Sequence, residues 1–428
     1  MKRLDDYTAD ELSARLSELK KAYEAYKARG LKLDMSRGKP GPEQLDLTLA
    51  MLDCVNGRDG FCTESGTDTR NYGLLDGISE AKRLFADMLG TVPDEVIVGG
   101  NSSLNMMFDY IATAFSRGVC GGEPWCRQGR VKFLCPAPGY DRHFAITEYF
   151  GIDMLTVPLT ETGPDMAVVE ALAADPLVKG MWCVPMYSNP DGITYSDETV
   201  CRIAALRPAA KDFRVIWDNA YCVHHLYAEH DALLNIRDAC RDAGNEDLVV
   251  QFASTSKISF PGSGMAAMTA SPANLADVKA RMTVQTIGHD KLNMLRHARF
   301  FGDMEGVKAH MERHAAILRP RFETVLNALR KSGLQEKGIA DWHEPRGGYF
   351  VSVFVRPGCA KETVRLLAEA GVKMTAAGAT YPYGIDPEDS NIRIAPSFPS
   401  VEELQTAMEL FCLCAEQAAV SLLLNRGE

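Results

Sequence analysis

Apolar residues follow helical spacing at the start of the chain. A capping box at Thr8–Glu11 precedes apolar residues at alternating steps of four and three, namely Leu12, Leu16, Leu19, Tyr23 and Tyr26. This pattern predicts an amphipathic helix that ends at Gly30. The Gly- and Pro-rich segment Ser36–Pro42 then predicts a loop.

From about Gly77 onward, short apolar runs alternate with helical stretches such as Ser102–Phe115 and Asp197–Leu206. The runs predict buried strands at Glu95–Val98, Val131–Cys135, Met154–Val157, Met181–Val184, Arg214–Trp217 and Leu248–Phe252. Buried strands that alternate with helices indicate an α/β fold with a mainly parallel sheet flanked by helices. Ligands of such sheets bind beyond the carboxyl ends of the strands.

The pattern changes in the last third of the chain. After a predicted helix at Phe301–Leu329, the segment Gly347–Val355 alternates like a half-exposed antiparallel strand. Helices are predicted near Glu362–Ala370 and at the C-terminal end. We therefore expect an N-terminal segment (1–50), a large domain (51–305) and a smaller α+β domain (306–428), with the first packed on the last.

Composition agrees with a globular protein of two domains. The chain has 428 residues, of which 46% are apolar and 24% charged, and a net charge of −11. This charge argues against a nucleic-acid partner, because phosphates need a basic surface. The 12 cysteines form no C-x-x-C pair, and no secretory signal is evident, which favours a reducing cytoplasm. No apolar run approaches the ~20 residues that span a bilayer, so no membrane partner is expected.

The segment Ser254–Lys257 carries the most specific chemistry. Lys257 is crowded by small hydroxyl residues after an apolar strand, and burial favours the neutral amine that attacks an aldehyde. Asp218 and Tyr221 follow another apolar strand and add an acid and a phenol. Each residue also has an ordinary interpretation: Lys257 as a surface charge, Asp218 as a helix cap or turn former, and Tyr221 as a core aromatic. Together they supply the groups that hold pyridoxal phosphate.

Two further turns are suited to the same ligand. Gly99–Ser103 links a strand to a helix and offers free backbone N–H groups to a phosphate, although such turns often only cap the helix. Tyr140 follows the strand Val131–Cys135, where an aromatic ring can stack on a flat ligand.

Two motifs point elsewhere but lack the context they need. His310 and His314 have metal-ligand spacing on a helix, yet no third ligand or adjacent glutamate is evident, so no metal is expected. The glycines Gly262 and Gly264 formally match a dinucleotide fingerprint and are the one support for an NAD-dependent dehydrogenase. The strand–turn–helix context of that fingerprint is missing.

In their order along the chain, these residues resemble the fold type I pyridoxal-phosphate-dependent aminotransferases. The resemblance runs from about Ser36 to Pro396 and rests on Tyr72, the Gly100–Ser103 turn, Tyr140, Asn189-Pro190, Asp218 with Tyr221, Ser254 with Lys257, and Arg393. Within this family, Ser36–Pro40, Gly139–His143 and Asn391–Phe398 look like the aspartate aminotransferase subgroup called type Ic.

The resemblance implies a role for each residue around the cofactor ring. Lys257 would form the internal aldimine and then move the proton between the substrate Cα and the cofactor C4′. Asp218 would pair with the pyridine nitrogen, and Asn189 and Tyr221 would hydrogen-bond the phenolate oxygen. Tyr140 would stack on the ring.

The resemblance also implies a phosphate cup and a substrate clamp. The cup would consist of Asn101, Ser102, Ser103 and Ser254, with Tyr72 of the partner subunit of a homodimer. Arg393 would bind the substrate α-carboxylate bidentately, close to Gly38 and Asn189. Family members usually carry an arginine where this chain has Ser263, so another cation, or neutral donors with the helix dipole, must balance the phosphate.

Substrate choice depends on the group that meets a side-chain carboxylate. Arg142 is favoured because it lies close to Tyr140, although a surface ion pair explains it equally well; Arg37, and Lys291 or Arg296 from the partner, are the other candidates. The expected function is a ping-pong aspartate:2-oxoglutarate aminotransferase. Alternatives are an aromatic or kynurenine aminotransferase, a β-lyase, or an aminotransferase-like regulator, for which the N-terminal segment is too short to hold a DNA-binding domain.

Overall fold

The computed structural model describes residues 2–426. The helices are α1 (Ala9–Lys27), α2 (Pro42–Asp46), α3 (Ser79–Leu89), α4 (Ser103–Arg117), α5 (Asp141–Tyr149), α6 (Met166–Leu172), α7 (Asp197–Ala204), α8 (Ile236–Asp242), α9 (Pro272–Gln285), α10 (Lys291–Phe301), α11 (Met304–Ser332), α12 (Ala360–Glu369) and α13 (Val401–Arg426). The strands are β1 (Leu33–Asp34), β2 (Val96–Val98), β3 (Lys132–Ala137), β4 (Asp153–Thr160), β5 (Gly163–Pro164), β6 (Val178–Cys183), β7 (Arg214–Asp218), β8 (Val249–Ser254), β9 (Ala266–Thr269), β10 (Ala340–Trp342), β11 (Val351–Val355), β12 (Val372–Lys373) and β13 (Asn391–Ile394).

An eight-stranded sheet forms the centre of the molecule, with strand order β2-β9-β8-β7-β6-β3-β4-β5. The pairs within β8-β7-β6-β3-β4 are parallel, and β9 is antiparallel to both of its neighbours. Apolar side chains of α4 and α9 cover one face, and those of α6, α7 and α8 belong to a separate core. The predicted α/β fold with a mainly parallel, helix-flanked sheet is therefore confirmed.

Each of the six predicted strands of this sheet exists, with ends shifted by a few residues. The prediction missed β9, a buried strand of small residues that follows the loop after Lys257. Its run Ala266-Ala-Met-Thr269 is short and weakly apolar, so its pairing with β2 and β8 became evident only in the folded chain. Because β9 is antiparallel to both neighbours, β2 runs parallel to β8.

A three-stranded antiparallel sheet, ordered β10-β11-β13, lies in the C-terminal third. The prediction of a half-exposed strand over Gly347–Val355 is wrong in two respects. The strand begins at Val351, and it is buried because it is the central strand and is covered on both faces. Residues before Val351 form a bend, in which Gly348 adopts a left-handed backbone conformation (φ +80°).

The N-terminal segment contacts the C-terminal third. Thr8 and Glu11 form the predicted capping box of α1, and β1 pairs in parallel with β12. Leu12, Leu19 and Tyr23 of α1 share a core with α13. The three-part division of the chain stays a prediction, with which these contacts agree.

Among the described residues, one stretch, Val401–Asn425 of α13, is long and apolar enough to span a bilayer by length and composition. The expectation that no apolar run reaches this length is wrong. Most of the stretch is buried, and α13 packs against α1, α11 and α12. A helix surrounded by other helices accepts apolar residues around most of its circumference, so this finding is weak support for a membrane span.

Candidate active site

The carboxyl ends of the parallel strands bring the predicted site residues together. Asp218 is the last residue of β7 and Ser254 the last of β8, and Asp218 pairs in register with Phe252 on the neighbouring strand. They open onto a cavity of about 450 Å³. Its lining includes these predicted residues: Gly38, Ser102, Ser103, Tyr140, Arg142, Asn189, Asp218, Tyr221, Ser254, Lys257 and Arg393.

Lys257 points into this cavity from the loop after β8. Its Nζ atom lies 5.1 Å from the centroid of the Tyr221 ring and 5.9 Å from that of Tyr349. The pKa of Lys257 is lowered from its ordinary value because the surrounding protein excludes water, while the charge of Asp218 opposes this shift. The lysine therefore loses its proton more readily than a solvated one, as a nucleophilic amine requires.

Asp218 is buried with one carboxylate oxygen in use and one free. Its Oδ2 atom lies 3.1 Å from Nε2 of His143, whose ring stacks on Trp182 at 4.3 Å and 9°. Its Oδ1 atom is buried and has no hydrogen-bond partner among the described residues. A buried unpaired carboxylate oxygen is costly, and a protonated pyridine nitrogen is the kind of donor that would satisfy it. This oxygen fits pyridoxal phosphate.

Two phenols face the same space. Burial, together with the nearby charges of Asp218 and Asp141, raises the pKa of Tyr140 to about 12. Burial likewise holds the pKa of Tyr221 well above its ordinary value. Both phenols therefore keep their protons at neutral pH and can donate hydrogen bonds.

Arg393 lies on β13 of the three-stranded sheet and borders the cavity. Its Nη1 atom donates to Asn189 Oδ1 at 3.2 Å and to Asp141 Oδ1 at 3.1 Å, and Nη2 donates to Thr375 Oγ1 at 3.3 Å. The guanidinium also lies over the ring of Phe350, 4.9 Å from its centroid. Because the Asn189 oxygen faces the arginine, its amide nitrogen remains available as a donor.

The serines that could hold a phosphate surround the start of α4. Ser102 is the N-cap residue of α4, yet its side chain makes no capping hydrogen bond, so its hydroxyl and the first N–H groups are free to bind an anion. Ser254 Oγ donates to Ser256 Oγ at 3.0 Å, and Ser256 Oγ donates to the backbone oxygen of Asn101 at 3.3 Å. The side-chain amide of Asn101 donates to the Pro261 oxygen, 3.3 Å away.

A cation lies beside the loop in which the family arginine is missing. Arg296 of α10 donates from Nη2 to Ser263 Oγ at 2.7 Å. Asn293, on the same helix, donates to the Gly264 oxygen at 2.7 Å and holds α10 against this loop. The Nε atom of Arg296 is buried without a partner among the described residues.

Three of the predicted residues are exposed. Arg142 is exposed at the cavity and makes no side-chain hydrogen bond or ion pair within residues 2–426. Tyr72 is 79% exposed and lies outside the cavity lining. Arg37 is exposed and pairs with Asp34 at 3.1 Å. Of these three, only Arg142 borders the cavity.

The two misleading motifs have structural explanations. His310 and His314 are buried and contact each other, with 3.0 Å between their Nε2 atoms, and Gln44 Nε2 lies 3.1 Å from His314 Nδ1. Within the described part of the chain, no group of three potential ligands could hold a metal. Gly262 lies in a short 3-10 turn that leads into β9 and not into a helix, so the dinucleotide fingerprint is absent there.

Several cavity residues escaped the sequence reasoning. They are Asp141, Ser256, Phe350 and Thr375 in the lining, with His143 and Tyr349 behind it. In the sequence, His143 stands out only as the last residue of the Gly139–His143 motif. Its position among the apolar residues of the helix after Tyr140 is the signal that could have indicated a buried histidine with a polar partner. The others lie on segments whose approach to the cavity depends on the packing of the two sheets.

Comparisons with known proteins agree on one family. A family model described as aspartate amino-transferase matches residues 7–426. An aspartate aminotransferase of Corynebacterium glutamicum is 45% identical over 417 residues, which are 97% of this chain and 96% of that protein. A protein of Mycolicibacterium smegmatis, named as an aminotransferase with no stated substrate, is 47% identical over 97% of this chain and 98% of its own length.

Solved structures agree with these matches. The crystal structure of an aspartate transaminase from Corynebacterium glutamicum is 44% identical and superposes with a TM-score of 0.96, over 98% of this chain and 99% of that one. The α-aminoadipate aminotransferase LysN of Thermus thermophilus, solved with N-(5′-phosphopyridoxyl)-L-leucine, is 20% identical, with a TM-score of 0.70 over 94% and 95% of the two chains. At that identity, the likeness shows the fold alone.

Proposed function

Since the chain belongs to the aspartate aminotransferase family and is a pyridoxal-phosphate-dependent transaminase, we propose that it transfers the amino group between aspartate and 2-oxoglutarate. One observation carries this choice of substrates. Two arginines, Arg393 on β13 and Arg142 on α5, border the same cavity. Arg393 would bind the α-carboxylate, and the unpaired Arg142 would bind the second carboxylate of a dicarboxylic substrate.

The reacting end of the substrate would be handled by residues of the large domain. When bound, pyridoxal phosphate supplies an aldehyde for the amino group and a conjugated ring that accepts electrons from the substrate Cα. Asp218, oriented by His143, would hold the proton on the pyridine nitrogen. The amine of Lys257 would take the proton from the substrate Cα and return it to the cofactor C4′.

Hydrogen-bond donors would orient the ring. The Tyr221 hydroxyl and the Asn189 amide nitrogen would donate to the phenolate oxygen, since burial keeps the phenol protonated. Tyr140 would stack on the ring face. These two donors withdraw charge from the cofactor and so help to keep its reactive form available near neutral pH.

The phosphate would lie at the start of α4. Asn101, Ser102, Ser103 and Ser254 would supply neutral donors there. In this proposal Arg296, held on Ser263, supplies the positive charge that the family arginine supplies in other members. Support comes from its contact at 2.7 Å with the residue that occupies the arginine's place.

We place the protein, in this proposal, as a homodimer in the cytoplasm. Support for the dimer is the exposure of large apolar side chains such as Tyr72 (79% exposed), Val284 (90%) and Ile287 (64%), because such side chains favour burial by a partner. Tyr72 would then reach the phosphate in the partner's cavity.

The substrate choice is tested by Arg142→Ala with a panel of amino donors. We expect kcat/KM for aspartate and glutamate to fall about 100-fold, equivalent to about 2.7 kcal/mol, because a desolvated charge-assisted pair is lost. Alanine, which has no second carboxylate, should react at an unchanged rate. Arg142→Lys should recover part of the loss.

A matched control is Arg130→Ala, which removes a surface arginine that is 80% exposed and lies outside the cavity lining. We expect kcat/KM for every amino donor to be the same in Arg130→Ala as in the parent enzyme. If Arg142→Ala leaves aspartate kinetics unchanged, Arg142 is not the carboxylate partner. If aromatic donors or kynurenine react faster than aspartate in the parent enzyme, the dicarboxylate proposal is wrong.

A further inference from the structure

Both accessible nitrogens of Arg393 already donate hydrogen bonds within the protein. Nη1 carries two hydrogens, and both are used, one by Asp141 and one by Asn189. Nη2 donates one of its two hydrogens to Thr375. The Nε atom has no partner among residues 2–426 but is buried beyond the reach of solvent.

A carboxylate that binds Arg393 through two hydrogen bonds therefore has to displace an existing partner. Bidentate binding uses N–H groups on two neighbouring nitrogens. Because Nε is buried, a ligand can reach only the pair formed by Nη1 and Nη2. Nη1 can donate to a new partner only if it gives up its hydrogen bond to Asp141 or to Asn189. Asn189 is buried, whereas the side chain of Asp141 is 35% exposed, at the first position of α5. Asp141 is the partner that can rotate into solvent.

We infer that Asp141 is a displaceable carboxylate that competes with the substrate carboxylate for Arg393 and thereby sets the affinity of the site for its ligands. The inference rests on the proposed role of Arg393 as the α-carboxylate clamp. Before a ligand binds, Asp141 neutralises an Arg393 side chain that is only 9% exposed, which avoids an unpaired buried charge. A ligand without a carboxylate cannot replace this pair, so the exchange also favours anionic substrates.

The two roles open to Asp141 give opposite results in Asp141→Asn. If Asp141 competes, the dissociation constant of maleate, an unreactive dicarboxylate, should fall about three- to thirtyfold, the range expected for a partly exposed ion pair. KM for aspartate should fall in parallel. If Asp141 serves only to hold Arg393 in place, both values should rise. Isothermal titration of the cofactor-loaded enzyme with maleate measures the first quantity.

Matched variants separate competition from a general change in charge. Glu148→Gln removes an exposed carboxylate from the same helix, outside the cavity, and should leave maleate binding unchanged. Asp141→Ser should behave like Asp141→Asn, which guards against a defect special to one variant. Maleate binding that is unchanged or weaker in both Asp141 variants overturns the inference.

Two further measurements separate this inference from the proposed function. In a crystal structure with maleate, the contact between Asp141 Oδ1 and Arg393 Nη1 should be broken; maleate bound to Arg393 with that contact intact overturns the inference. Arg393→Lys should weaken maleate binding. If it does not, the proposed role of Arg393 fails, whereas weakening in Arg393→Lys without tightening in Asp141→Asn refutes only the competition.

Discussion

The close approach of Gly38 to Phe350 makes a single methyl group a sharp test of the substrate clamp. A Cβ atom at Gly38 would lie 2.2 Å from Cζ and 2.5 Å from Cε1 of Phe350. Ordinary carbon contacts begin near about 3.5 Å, so Gly38→Ala requires a shift of more than about 1 Å. Phe350 is only 5% exposed and has little free space in which to move.

The expected cost follows from what Phe350 supports. Its ring lies under the guanidinium of Arg393, 4.9 Å away, so a displaced ring or loop misaligns the arginine. Overpacking of a well-packed site costs about 1–3 kcal/mol, which corresponds to about a 5- to 150-fold rise in KM for aspartate if the whole cost falls on substrate binding. Cofactor affinity should be unchanged, because most of the residues proposed to hold pyridoxal phosphate lie at the ends of the large-sheet strands or in the segments that follow them, and not on the loop that carries Gly38.

Steady-state kinetics with aspartate and titration of the cofactor-free protein with pyridoxal phosphate measure the two effects separately. Gly57→Ala is the matched control, since a Cβ atom there meets nothing within 4 Å. A Gly38→Ala enzyme with the parent KM would refute the argument from close packing. Equal losses of substrate and cofactor affinity would show that the whole site had been disturbed.

Two further predictions concern charges outside the clamp. Burial alone would raise the pKa of Glu416, but hydrogen bonds from Arg15 and Lys337 outweigh it and hold the pKa below its ordinary value. Glu416→Gln should therefore cost about 1–3 kcal/mol and lower Tm. This stabilisation is complete above about pH 4.3 and is lost as the pH falls through the folded-state pKa, so the Tm difference between variant and parent should shrink on acidification; a constant difference would contradict it. Arg296→Ala should raise the Kd for pyridoxal phosphate about tenfold or more, as measured on the cofactor-free protein, and an added Ser263→Arg should restore affinity; an unchanged Kd would rule Arg296 out as the phosphate cation.

Local patterns along the chain were sufficient for the fold class and for most elements. The capping box and apolar repeat of α1 depend on neighbours within a few turns, so the helix could be predicted from its own residues. The buried strands of the large sheet could also be predicted from their own residues, because each is a continuous apolar run. Their alternation with helices implied a parallel sheet, and hence that Asp218 and Lys257 meet at one edge.

Contacts between distant segments could not be predicted in this way. The strand β9 and the burial of β11 depend on which strands lie on either side. The local pattern of apolar and polar residues does not specify those neighbours. The pairing of Arg296 with Ser263 joins residues from a helix and a loop that only packing brings together.

The sequence by itself determined which chemical groups the protein carries and at which strand ends they stand, because strand and helix periods record burial residue by residue. The tertiary structure decided which of these groups are free. Asp141 and Arg142 are adjacent in sequence and both charged. Asp141 pairs with Arg393, whereas Arg142 borders the cavity and has no ion pair among residues 2–426. That difference arises from the position of β13 relative to α5, a long-range relation set by the packing of the whole chain.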